Sequence, residues 1–291
     1  MEVSNLNKYV PHVRFEQIQI KNLVSNQDYQ RRLSRLHIDR TVANFDLYQI
    51  SPVKVSRRDG QNLVFNGQHT IEIIATVSGS RDTPVWCMVY DDLEYIHEAH
   101  IFANQQKHVK KLSAYEIFVA KIEADNDVPI MIKAIVESCG LEITSTRRLG
   151  GICAVTCLEQ IFERHGYHVL DRTLKLTVGT WEGDMISLAA NMIKAISHLI
   201  VVFGESLKDN TFVERVGSVS AREIARTAKD RRSGSIGYAE AILNVYNKKT
   251  KAGLSMQKLY DLTKRRGDSG DNIEYEEERH DENNENSFIN I

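Results

Sequence analysis

Apolar and polar positions change their spacing partway along this chain, and that change divides it. In the first part, short runs alternate with a period of about two. Residues 15–24 place Phe15, Ile18 and Ile20 as a first strand, and Pro52-Val53-Lys54-Val55-Ser56 and Leu63-Val64-Phe65 flank Asp59-Gly60, a strong signal for a two-residue hairpin turn. Pro84-Val85-Trp86-Cys87-Met88-Val89-Tyr90 is a nearly unbroken apolar run, the pattern of a strand buried on both faces. Between these lie helical spacings. One helix opens at Tyr29-Gln30-Arg31-Arg32-Leu33 and runs to Asp46, one is marked by Ile73, Ile74 and Val77 before Gly79, and one follows Asp91-Asp92 with Ile96, Ala99, and Ile101 or Phe102 on its core face. Ser113 with Glu116 three residues on predicts a capping box at the next helix start.

Beyond residue 126 the spacing is helical throughout. Helices are expected over residues 128–139, 152–164, 170–178, 184–203, 221–230 and 236–246, with a short one over 255–264. Gly140 after the first of these, with Arg147 and Arg148 beyond, suggests a helix-turn-helix, although a glycine between two helices also occurs in any bundle.

The most concentrated polar chemistry is the junction Gly67-Gln68-His69-Thr70, where a strand passes through a glycine into a helix. The backbone N–H groups at such a helix start suit a phosphate. An ordinary strand-to-helix turn needs the same glycine. Cys153 and Cys157, with His165 and His168 downstream, could be drawn as a zinc site, but their spacing matches no structural zinc pattern, and we expect no metal.

The order of elements and motifs in residues 12–123 resembles the ParB/sulfiredoxin superfamily, and within it the ParB-like proteins of phages and mobile elements. Tyr29-Gln30-Arg31 resembles the first ParB box. Gly67-Gln68-His69-Thr70 stands where ParB has Gly-Glu-Arg-Arg. The stretch from Phe102 through Asn104 to Leu112-Ser113-Ala114-Tyr115-Glu116 resembles the box reading Glu-Asn-Leu-Gln-Arg before Leu-Ser-Pro-Ile-Glu. The fold class this implies is α+β: an N-terminal ParB/sulfiredoxin-like mixed domain (1–125), an all-α helical bundle domain (126–266) and a disordered acidic tail (267–291). It further implies a phosphate or nucleotide site, for CTP or ATP, at Arg31, Gly67, Gln68, His69, Thr70, Asn104, Lys107 and Lys110. His69 and Thr70 replace the paired arginines of ParB, so a phosphate ligand is expected to bind more weakly here. Gln68 replaces the cysteine that sulfiredoxin uses as nucleophile, which excludes sulfiredoxin chemistry.

Charge sharpens the reading only when the chain is divided. The 291 residues carry 37 Lys and Arg against 39 Asp and Glu. Residues 268–291 hold nine of the acidic groups and one arginine, which leaves 36 basic against 30 acidic groups elsewhere, a body at +6 and a tail at −8. Basic clusters at Arg147 and Arg148, at Arg226, Lys229, Arg231 and Arg232, at Lys248, Lys249 and Lys251, and at Lys264, Arg265 and Arg266 would form a DNA footprint. No stretch reads as a signal peptide or membrane span, and the four cysteines are too scattered for a disulfide framework, so a cytoplasmic protein is expected.

Three functions remain open. The first is a ParB-like DNA-binding protein of a phage or plasmid, acting in partition, regulation or genome handling. The second is a nucleotide-dependent hydrolase, phosphotransferase or nuclease with Gln68 orienting water and His69 as acid or base. The third is a protein-interaction module without catalysis. The sequence is compatible with a homodimer and does not fix one.

Overall fold

The computed structural model describes residues 11–25, 29–30, 32–105, 107, 111–248 and 253–260. Arg31, Lys110, Lys249, Lys251, Lys264, Arg265, Arg266 and the acidic tail lie outside the described residues. The chain divides into two compact units, residues 1–111 and 112–291. The capping-box helix thus belongs to the second.

Five strands build the sheet of the first unit: β1 (Val13–Gln19), β2 (Leu23–Ser25), β3 (Val53–Arg58), β4 (Gln61–Asn66) and β5 (Pro84–Tyr90). Their order is β1-β5-β3-β4-β2. β1 runs antiparallel to β5 and β3 antiparallel to β4, while β3 with β5 and β2 with β4 are parallel. The expected hairpin is present, with Arg58 opposite Gln61 across Asp59-Gly60. The single strand expected over residues 15–24 is two. A 3-10 turn at Ile20–Asn22 separates β1 from β2, and they occupy opposite edges of the sheet.

Val53, Val55, Val64, Val85, Cys87 and Val89 are all within 4% of full burial and pack with Ile18, Ile20 and Ile71 as one core. Burying each large aliphatic side chain is worth about 1.5–3 kcal/mol, which fixes the register, because a one-residue slip would turn the whole set outward. β5 is not buried on both faces. Its burial alternates, and Trp86 is 56% exposed.

Three helices complete the unit: α1 (Arg35–Ala43), α2 (Gln68–Ser78) and α3 (Tyr95–Asn104). α1 starts later than its sequence suggested. Ser34 is its N-cap, its side chain accepting from the His37 N–H, and Tyr29-Gln30 forms a non-helical lead-in. On α3 the inward residue is Glu98 rather than an apolar one, while Ile96 is 64% exposed.

The second unit is helical: α4 (Ala114–Glu123), α5 (Asp127–Ser138), α6 (Val155–Trp181, broken at Gly166), α7 (Ala190–Phe203), α8 (Asp209–Val216), α9 (Ala221–Arg231) and α10 (Gly234–Tyr246). The predicted capping box closes α4: Ser113 Oγ accepts from the Glu116 N–H at 3.2 Å and Glu116 Oε2 accepts from the Ser113 N–H at 2.7 Å. Ile132, Ile135 and Val136 of α5 are buried with Phe118, Leu158 and Leu174 in one core, and α7 to α10 close around a second. The helix-turn-helix expected at Gly140 is absent. The chain there forms two short parallel strands, β6 (Glu142–Ile143) and β7 (Gly151–Ile152), so no second helix follows the glycine. α8, which the spacing did not predict, lies instead just before α9.

Gly67 bears the strictest demand in the first unit. Its φ is +108°, and a Cβ built on it would lie 3.2 Å from Val53 Cα and Cγ2. Gly67→Val therefore combines a left-handed backbone with a clash against a fully buried strand, and is expected to destabilise the protein by about 3 kcal/mol or more. Gly60→Ala, with nothing within 4 Å of its Cβ, meets only the backbone term, about 1 kcal/mol. Urea unfolding of both variants checks this; equal midpoints would show that the Val53 contact is unimportant.

Candidate functional site

The polar junction forms where β4 ends. Gly67 turns the chain, and the first helical hydrogen bond of α2 runs from the Ile71 N–H to the Gly67 carbonyl at 3.0 Å. The N–H groups of Gln68, His69 and Thr70 thus lie ahead of that first rung, at the positive end of the helix dipole. A pocket of about 130 Å³ opens there, lined by Gln30, Asn66, Gly67, Gln68, His69, Thr70, Phe102 and Gln105. At ~30 Å³ per water molecule that is the space of about four waters, enough for a phosphate group and too little for a whole nucleotide without using the mouth.

Gln30 is the best-defined polar group in the wall. It is 92% buried, and its Nε2 donates to the Val64 carbonyl of β4. That bond fixes which end of the amide is oxygen, and Oε1 is left buried with no hydrogen-bond partner among the described residues. Gln105 Oε1 is in the same position. Both are acceptors, so a ligand that also offers donors would satisfy them.

Of the site residues expected from sequence, Gly67, Gln68, His69 and Thr70 line the pocket, whereas Asn104 and Lys107 do not. Asn104 is exposed and its side chain donates to the His100 carbonyl of its own helix. Gln30, Phe102 and Gln105 were missed. The signal existed: Phe102 and Gln105 are three apart and share one helix face, which excludes Asn104 from it.

His69 is partly committed. Its Nε2 accepts from the Ser34 N–H at 3.0 Å, and its ring meets His37 edge-on with centroids 5.4 Å apart. One ring nitrogen therefore holds the start of α1, which weakens the assignment of His69 as a general base. Cysteine nucleophiles fare no better: burial pushes the Cys87 thiol up to about 11 and Cys157 up to about 12, so neither is a thiolate at neutral pH. Among the described residues no group of three His, Cys, Asp or Glu side chains could hold a metal ion, the Cys153 and Cys157 pair included.

Behind the pocket lies a buried charge. Glu98 is fully buried and accepts from the Tyr29 hydroxyl at 3.2 Å, with Arg58 Nη2 3.4 Å from its other oxygen. Tyr29 also packs against Tyr95 and Phe102, and burial beside the Glu98 charge pushes its hydroxyl well above the usual tyrosine range. Through Tyr29, the Glu98 carboxylate anchors the segment that carries Gln30.

In the second unit, Arg148 is paired with Glu142, and Arg232 sits over the Tyr260 ring at 6.0 Å. Arg222, Arg226, Lys229 and Arg231 are exposed on α9.

These features define a two-unit α+β protein with a small polar pocket at a strand-to-helix junction and a helical unit. The model of a family described as "Family of unknown function (DUF6551)" matches residues 24–258, and the chain belongs to that family. Curated proteins yield no match. Among solved structures the chain is similar to one described as the C-terminally truncated chromosome-partitioning protein ParB from Caulobacter crescentus complexed with CTP-gamma-S, at a TM-score of 0.35 and 14% identity, covering 79% of this chain and 98% of that one. Both of the similarity figures are low. Among the described residues no helix is long and apolar enough to cross a membrane.

The buried pair should respond asymmetrically to truncation. Arg58→Ala strands a carboxylate with no exposure, at a cost of about 3 kcal/mol or more, whereas Glu98→Ala frees an arginine that is 31% exposed and can turn to water, at roughly half that. Denaturant midpoints of the two variants test the order; a reversed order would mean that Arg58 is not what compensates the buried Glu98 side chain.

Proposed function

We propose that this chain is a ParB-like DNA-binding protein, of the kind carried by phages or plasmids, whose first unit binds a phosphate-bearing ligand in the pocket at Gly67–Thr70. The observation that supports this best is convergence. Gln30, Gly67 to Thr70, and Phe102 with Gln105 come from the three stretches that resemble ParB boxes, and all of them line one pocket. An ordinary turn would not need three segments so far apart in sequence to meet around a cavity. The helix start supplies N–H donors to a phosphate, and this reading assigns to Arg31, next in the sequence after Gln30, the fork that His69 and Thr70 lack. Lacking the paired arginines, the site holds CTP, ATP or inorganic phosphate weakly, at millimolar concentration. DNA binding is supported by the net charge of +6 outside the tail and by the exposed basic residues of α9.

The pocket reading is tested by titrating CTP, ATP and phosphate separately into the isotopically labelled full chain and following the amide signals of Gly67 to Thr70. Those signals should move at millimolar ligand, and Arg31→Ala should weaken all three about ten-fold through loss of a charge-assisted contact. Amides that stay still with every ligand would reduce the junction to a turn.

A further inference from the structure

α8 and α9 are consecutive helices joined by a short turn, and both pack against α10. α8 ends at Val216, a four-residue turn of Gly217, Ser218, Val219 and Ser220 follows, and α9 begins at Ala221. Phe212 and Val216 of α8 and Ala221, Ile224 and Ala228 of α9 are all buried in the same core. The turn is held rigidly: Trp181 Nε1 donates to the Val219 carbonyl at 2.9 Å, and a Cβ on Gly217 would meet the Val213 carbonyl oxygen at 2.4 Å, so only glycine fits. Ser220 caps α9 by accepting from the Glu223 N–H at 3.2 Å. Two further contacts brace the pair from outside it, Arg215 to the Tyr246 carbonyl and Arg172 to Asp209.

What α9 leaves outside is a cationic stripe. Arg222, Arg226 and Lys229 are exposed at positions i, i+4 and i+7, about 130° around the helix from the buried Ala221, Ile224 and Ala228 at 100° per residue. Glu223 and Asp230 flank the stripe and do not interrupt it. A helix about 10–12 Å across fits the major groove of B-form DNA, which is about 12 Å wide. An arginine there can donate to both guanine acceptors, and a lysine at the far end reaches phosphate.

We propose that α9 is the reading helix of a DNA-binding head spanning residues 209–231, with Arg222 and Arg226 on base edges in the major groove and Lys229 on the phosphate backbone. The proposal rests on the DNA-binding reading above and adds where and how the duplex is engaged, at a site about 75 residues beyond the Gly140 turn that the sequence pointed to. Duplex RNA is a poorer fit, since its major groove is too deep and narrow for a helix to read.

The test uses the full chain, a randomised pool of 30-base-pair DNA duplexes for selection, and anisotropy against salt with the selected duplex and its RNA counterpart. Wild type should enrich a motif containing guanine. Arg222→Gln with Arg226→Gln should weaken the selected duplex about ten- to hundred-fold and erase preference at one or two positions, and Lys229→Gln should lower the salt slope by about 0.9 without changing the motif. Lys133→Gln, a cation on α5, is the control for loss of charge alone, and circular dichroism verifies that each variant remains helical. If wild type binds DNA and the α9 variants bind with unchanged affinity and motif, this proposal fails while the DNA-binding reading stands. Equal binding of the RNA duplex, or no enriched motif, also overturns major-groove reading. If wild type binds no duplex with salt dependence, the broader reading fails and this one with it.

Discussion

The contact between Gly67 and Val53 sets the geometry of the first unit. β4 can turn into α2 only because nothing projects from Gly67 toward the fully buried Val53 on the neighbouring strand. That closeness seats α2 on the sheet so that Ile71 and Ile73 are buried, and it leaves the α2 N-terminus facing the Gln30 lead-in and α3. The pocket is thus a by-product of how strand and helix are joined. A side chain at this position would open the junction and scatter the donors and acceptors that line it.

A second constraint works from behind. Burying Glu98 without compensation would be costly, and Arg58 and Tyr29 offset that cost from two different segments. The carboxylate therefore ties together a strand, a lead-in and a helix at one point. Gln30 follows Tyr29 directly and is held to Val64 by its own amide.

Local chemistry was legible in the sequence, and long-range compensation was not. The Asp59-Gly60 hairpin, the Ser113–Glu116 capping box and the glycine junction at Gly67 each depend on residues within a few positions, and each is where the pattern placed it. Glu98 was passed over in favour of apolar neighbours, because a charge faces inward only when Arg58, 40 residues earlier, comes to meet it. Residues 15–24 read as one strand, because nothing local announces that a 3-10 turn sends the chain to the far edge of the sheet. Of the candidate site residues, Gly67 to Thr70 line the pocket, as do Phe102 and Gln105, whereas the more polar Asn104 and Lys107 do not.

The two turns considered for DNA recognition show what a glycine can and cannot decide. Gly140 and Gly217 each follow a helix with buried apolar positions. After Gly140 the next residues have no cap and no repeating apolar face, and they pair as short strands. After Gly217, Ser220 and Glu223 supply a helix start, and Ala221, Ile224 and Ala228 supply the face that docks it. The sequence of α8 hid this arrangement, since an eight-residue helix with three charges has too little periodicity to stand out and is stable only through Phe212 and Val216 packing in the core. Once that core fixes α8 and α9, the outer residues of α9 are free of any folding role. Three cations on that surface contribute nothing to the packing below them. Their spacing along one stripe is therefore not set by the packing below, and it is the feature on which the proposed duplex contact rests.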